Sequence, residues 1–228
     1  LEGREPTIGL VLGSGLNPLA NEIADAASIP YAEVPRMKTS TAESHVGRFV
    51  CGTLGGKCVL AMQGRLHAYE GNSAQEVAYP VWLMERLGVR TLITTNAAGA
   101  LNPNYEVGDF CIMADQINFT GRNPIAAPDP ANLSDRFFSM LDAFDPELRA
   151  IAHDFGVTGR ARRAGARGRV LGRARTQLRD AGRDPHVPFV GRRYGGDERV
   201  RGSHRRAARG DARAGHLAGV EHGLRHRG

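Results

Sequence analysis

Arg65, His67 and Tyr69 lie two apart in the run Met62-Gln63-Gly64-Arg65-Leu66-His67-Ala68-Tyr69-Glu70-Gly71. If the backbone stays extended past Gly64, the three side chains project to one side, because a strand repeats every two residues. A guanidinium, an imidazole and a phenol would then share a small volume. Arginine offers a rigid fork of donors for phosphate or carboxylate. Histidine gives or takes a proton near neutral pH, and tyrosine adds a flat ring with a polar tip. Spacing alone also fits a plainer case, an exposed strand end with solvated polar residues.

Other candidates lie at the ends of apolar runs. Gly13-Ser14-Gly15 follows Thr7-Ile8-Gly9-Leu10-Val11-Leu12 and precedes Asn17-Pro18. Strand, glycine turn and helix start make an anion cradle of backbone N–H groups, to which Ser14 could add a hydroxyl. The same turn is also an ordinary tight connection. It is not a nucleotide P-loop, since no Gly-Lys-Ser/Thr follows. His45 closes a polar, proline-interrupted stretch and stands just before a strand, on a loop that could carry it into a site or leave it in solvent. Asn96-Ala97-Ala98-Gly99 ends another apolar run, and its small residues let a ligand approach the backbone.

The elements that must position these groups read as alternating strands and helices. Strands are expected over 7–12, 47–53, 57–63, 90–95 and 107–114, with Gly55-Gly56 turning a hairpin. Asn17 caps a helix through about 24. Asn72 or Ser73 caps another through Leu87, whose apolar face is Val77, Val81, Trp82, Met84 and Leu87, with Trp82 and Met84 read as core residues. Asp145-Pro146-Glu147 starts a third, to about Phe155. Strand, helix, strand from 57 to 95 argues for a parallel pair with a right-handed crossover. The fold class is α/β, a central mixed, largely parallel sheet flanked by helices.

Taken together, Gly-Ser-Gly-Leu at 13–16, His45-Val46-Gly47, Gly-Arg-Leu-His-Ala-Tyr-Glu-Gly at 64–71, Thr-Asn-Ala-Ala-Gly at 95–99 and Asp-Gln-Ile-Asn at 115–118 resemble the trimeric purine nucleoside phosphorylases. The resemblance runs from residue 7 to about 158. It implies that Ser14, His45, Arg65, Leu66, His67 and the Ala97 N–H hold phosphate, that Arg65 and His67 are catalytic, and that Tyr69 meets the ribose. It implies phosphorolysis of purine nucleosides by a homotrimer, with inorganic phosphate as co-substrate, no cofactor and no metal. The methylthioadenosine phosphorylases share the phosphate motifs and are the near alternative. The motifs by which the family recognises the purine, found in its C-terminal third, are absent here.

Composition explains where that third goes. The net charge is +6, but residues 1–158 hold 11 Lys+Arg against 18 Asp+Glu, whereas 159–228 hold 19 Arg, no Lys and 6 acids. An Arg/Gly-rich nucleic-acid-binding tail is one reading. The other is a shifted reading frame in GC-rich DNA. Taking two bases from one codon and one from the next, residues 173–200 can encode Gly-Pro…Thr-Pro-Ala-Glu-Ile-Arg…Gly-Ala-Asp…Gly-Met-Ser, which resembles the missing family segment. The frameshift is the favoured reading and nucleic acid the disfavoured partner. Residues 1–158 then form two-thirds of a phosphorylase domain, and 159–228 are an out-of-frame tail that should not extend the core. An inactive, folding-impaired fragment is the remaining possibility. Cys51, Cys58 and Cys111 are odd in number, without paired metal spacing, and no apolar run nears the ~20 residues of a membrane span. The expected setting is the cytosol, without a membrane partner.

Overall fold

A computed structural model describes residues 1–13, 15–40, 46–99, 109–118, 120–126, 139–157, 170–177 and 214–222. Its strands are β1 (Ile8–Leu12), β2 (Ala24–Pro30), β3 (Arg48–Leu54), β4 (Lys57–Gln63), β5 (Thr91–Gly99), β6 (Phe110–Ile117), β7 (Val170–Gln177) and β8 (Ala214–His222). Among the described residues the α-helices are α1 (Ala74–Arg86) and α2 (Pro146–Val157). The strands form one sheet in the order β2-β3-β4-β1-β5-β8-β6-β7. β1 lies parallel to both β4 and β5, so the chain leaves β4, crosses through α1 and returns as β5 on the far side of β1. The mixed, mostly parallel α/β sheet is the expected class.

Period-two burial makes the centre of this sheet two-sided. On one face Val11, Phe49, Leu60, Met62 and Leu92 pack with Tyr31 and with Met84 of α1. On the other, Leu10, Leu12, Val50, Val59 and Ala61 pack with Ala20 and Ile23. Such strands read as continuous apolar runs because neither face meets water. The hairpin turns at Gly55 and Gly56, both at positive φ, as expected. Ser73 caps α1, accepting from the Glu76 N–H, while the Glu76 carboxylate accepts from the Ser73 N–H at 2.8 Å. Asp145 caps α2 through Oδ1, which accepts from the N–H groups of Glu147 and Leu148.

Several expectations are corrected. Asn17 is the first residue of a 3-10 segment, Asn17–Glu22, with Leu16 at the cap position. Ala24–Pro30, nearly without β-branched residues, is nevertheless a strand, because it pairs antiparallel with β3 and satisfies that strand's outer edge. β5 runs on to Gly99, taking Asn96–Ala98 into the sheet. Trp82 is half-buried, and of the proposed α1 face Met84 alone is fully buried. The largest difference is beyond residue 158. β8 pairs antiparallel with β5 from Thr91↔His222 to Gly99↔Ala214, and β7 pairs parallel with β6. Two segments of the arginine-rich region therefore extend the sheet. A ladder is made by backbone groups, so an open edge recruits a strand with little regard to composition.

Candidate active site

The site lies where β1 and β4 end together beside the continuing β5, at the carboxyl edge of the parallel strands, the edge at which open α/β sheets bind ligands. β4 stops at Gln63 because Gly64 takes φ +97°, a left-handed value that side chains disfavour. The buried Tyr31 hydroxyl fixes this bend by donating to the Gly64 carbonyl at 2.5 Å. Burial pushes the Tyr31 phenol well above its ordinary value, so it stays protonated and can donate.

Past the bend, Arg65 turns towards β5 and donates from Nη1 to the Thr95 carbonyl at 2.7 Å. Burial pushes its guanidinium below the ordinary value, with the nearby Tyr69 acting in the other direction. The group stays charged all the same. No ion pair to Arg65 is formed among the described residues. A half-buried cation with a fixed orientation and no carboxylate partner among the described residues is suited to an anion.

Leu66 is buried, and His67 and Tyr69 stack with ring centroids 4.6 Å apart at 20°. Residues 68–70 form a 3-10 turn rather than a continued strand. The Glu70 carboxylate closes the turn, accepting from the His67 N–H at 2.7 Å and from the Ser40 hydroxyl at 2.8 Å. Tyr69 is 55% exposed, so the stacked pair presents an accessible aromatic face. The three side chains thus remain neighbours, although by a turn and not by strand alternation.

Gly13 and β5 meet closely. The Gly13 N–H donates to Thr95 Oγ1 at 2.8 Å, and a Cβ on Gly13 would lie 2.5 Å from the Thr95 carbonyl oxygen. Gly13 and Arg65 therefore share one residue of β5, two positions before Ala97. Ser14 and His45 lie outside the described residues. Gln63, which is 4% exposed, ties the neighbouring segments together. Its amide donates to the Asn17 carbonyl at 3.1 Å and accepts from Arg48 Nε at 2.7 Å, while its carbonyl accepts from the Gly47 N–H at 2.9 Å. Sequence reading missed Tyr31, Gln63 and Thr95. Gln63 left a trace as a polar residue closing an apolar run, and Thr95 as the first residue of the Thr-Asn-Ala-Ala-Gly motif. Among the described residues no cluster of His, Cys, Asp and Glu could hold a metal ion.

A sheet of this topology, with an oriented cation beside the ends of β1 and β4, defines an α/β protein with a candidate anion site at its carboxyl edge. The model of the phosphorylase superfamily matches residues 7–208, and the chain belongs to that family. The match extends past the expected limit near 158. Purine nucleoside phosphorylase 1 of Bacillus subtilis is 48% identical over 147 residues, 64% of this chain and 54% of that protein. The Bos taurus purine nucleoside phosphorylase is 43% identical over 153 residues, 66% of this chain and 53% of its own. The structure of Schistosoma mansoni purine nucleoside phosphorylase in complex with inosine superposes with a TM-score of 0.72 at 30% identity, covering 93% of this chain and 75% of that one. The chain spans about half the length of the curated relatives it matches. No helix of the described residues is long and apolar enough to cross a membrane.

Proposed function

We propose that this chain carries the phosphate half-site of a purine nucleoside phosphorylase, which converts a purine nucleoside and inorganic phosphate to free purine and ribose 1-phosphate. The observation that carries this reading is Arg65, a half-buried cation held against β5 at Thr95, the residue that also binds Gly13 just past β1. In the proposed reaction a phosphate oxygen forms a bond to the anomeric carbon as the carbon–nitrogen bond to the base breaks. The bonding pair leaves with the purine, which takes up a proton. Positive charge develops on the ribose, so a phosphate dianion held on the correct face both attacks and stabilises. Arg65, His67 and the Ala97 N–H, with Ser14, Leu66 and His45, hold that dianion. The stacked His67–Tyr69 pair offers its exposed face to the sugar.

The base-recognising residues belong to the segment that 159–228 replace, and we assign the replacement to a shifted reading frame. The mature enzyme is a cytosolic homotrimer in this reading. One assay tests it: release of hypoxanthine from inosine with phosphate, run on the 228-residue chain and on a frame-restored one. The restored chain turns over and the 228-residue chain does not. Robust turnover by the 228-residue chain would overturn the frame assignment, and none by either chain would overturn the activity. Sequencing the gene across codons 155–175 locates the shift directly.

A further inference from the structure

Thr95 makes three of the bonds that shape the candidate site. Its hydroxyl accepts from the Gly13 N–H at 2.8 Å and donates to the Val11 carbonyl at 2.9 Å. Its own carbonyl accepts from Arg65 Nη1 at 2.7 Å. The backbone ladder between β1 and β5 ends at Val11↔Thr94. One residue further on, where the strands no longer exchange backbone bonds, the hydroxyl takes over both roles a peptide would play there. It satisfies one donor and one acceptor and holds Gly13, the residue after β1, against β5. The absence of a Cβ on Gly13 allows this approach.

We infer that the Thr95 hydroxyl is a positioning group, setting the distance between the turn after β1 and the Arg65 guanidinium and so the width of the anion site. The inference rests on the proposed phosphate half-site. Thr95 Oγ1 is already committed to two protein partners, and its effect on an anion is transmitted through Gly13 and through the β5 backbone leading to Ala97. A site of this kind loses affinity steeply when its donors shift, because charge-assisted hydrogen bonds depend on short distances and alignment.

The test measures inorganic phosphate binding to the full 228-residue chain by ³¹P line broadening, alongside the thermal unfolding midpoint. Thr95→Ser keeps the hydroxyl, and binding stays within about twofold of the parent. Thr95→Val is isosteric but leaves the Gly13 N–H and Val11 carbonyl unmet, and affinity falls about tenfold, the scale of one uncompensated hydrogen bond. Should valine prevent folding, Thr95→Ala provides the reading. It leaves room for a bridging water, which keeps the fold but is a looser tether. Rescue by serine at an unchanged midpoint separates positioning from general stability. Equal phosphate affinity in Thr95→Ala and the parent, while Arg65→Ala binds weakly, would overturn the positioning role alone. Unchanged affinity in Arg65→Ala would overturn the half-site and the inference with it.

Discussion

The sheet has two halves that meet at β5, and the helix beside each is seated differently: α1 buries Met84 in the core, whereas α2 keeps large apolar side chains exposed. From β2 to β5, side chains on both faces interlock: the two core clusters draw every buried member from residues before 93. From β5 to β7 the strands pair through backbone ladders, Cys111, Ile112 and Met113 of β6 and the nearby Phe144 are buried, and α2 lies against β6 and β7. α2 itself leaves Ile151 66% and Phe155 45% exposed. Ladders satisfy peptide groups wherever an edge is open, whereas interlocked apolar faces specify one register, because a slip by one residue turns every side chain over. The candidate site belongs to the first half. Its described groups, from Gly13 to Ala97, are tied to one another by residues of that half, Tyr31, Gln63, Glu70 and Thr95 among them.

The sharpest way to break this contrast is to make the same truncation in each half. Leu60 is 0% exposed at the centre of β4, and Leu60→Ala should cost about 2–5 kcal/mol in transfer and cavity terms. Ile151→Ala on the exposed side of α2 should stay within about 0.5 kcal/mol. Urea unfolding at constant slope reads both changes. Comparable losses would mean that α2 is packed as tightly as β4, and the two halves would be one cooperative unit of equal quality.

How much of this was legible beforehand follows from the same contrast. The first half could be read because its signals are local and redundant. Gly55-Gly56 demands a turn, Ser73 and Glu76 demand a helix start, and apolar runs bounded by glycine demand buried strands. β2 was not legible: Ala24–Pro30 has no strand composition, and only the open edge of β3 makes it one. β7 at the edge and β8 between β5 and β6 were missed as well, since backbone pairing leaves little trace in residue type. In the site, the clustering of Arg65, His67 and Tyr69 was readable, but not its cause. The Gly64 bend and the 3-10 turn bring the rings together, and the tethers through Tyr31, Gln63 and Thr95 are long-range pairings that no local spacing announces.

The second test asks whether the well-packed half also carries the chemistry. In a frame-restored chain, Arg65→Ala should lower phosphorolysis at subsaturating phosphate by about 2–4 kcal/mol of transition-state stabilisation. Arg65→Lys should recover only part of it, because an ammonium cannot reproduce the planar fork that reaches both the Thr95 carbonyl and an oxyanion. The loss should appear chiefly as weaker phosphate use. Full activity of Arg65→Ala at low phosphate would move the anion site out of the first half altogether.

The smallest effect is a pH dependence that the first half should own. Cys51 is buried in the β3 core beside Cys58, and burial first, then the neighbouring thiol, pushes its thiol from the usual value near 9 up to about 11. The direction fixes the sign. A group whose proton is held more tightly in the folded chain stabilises the fold fully below its unfolded value. That contribution is lost as pH rises through the folded one. The unfolding midpoint should therefore decline between about pH 9 and 11 more steeply in the parent than in Cys51→Ala, which removes the ionisable group at modest packing cost. The same substitution also separates the halves. Cys111 on β6 is as buried as Cys51, so a thiol reagent reaches either only through local opening. With the α2 that packs against β6 leaving Ile151 and Phe155 exposed, Cys111 should label faster than Cys51 in the native chain at pH 8. Equal labelling rates, together with an unaltered pH slope in Cys51→Ala, would show that the two halves open as one.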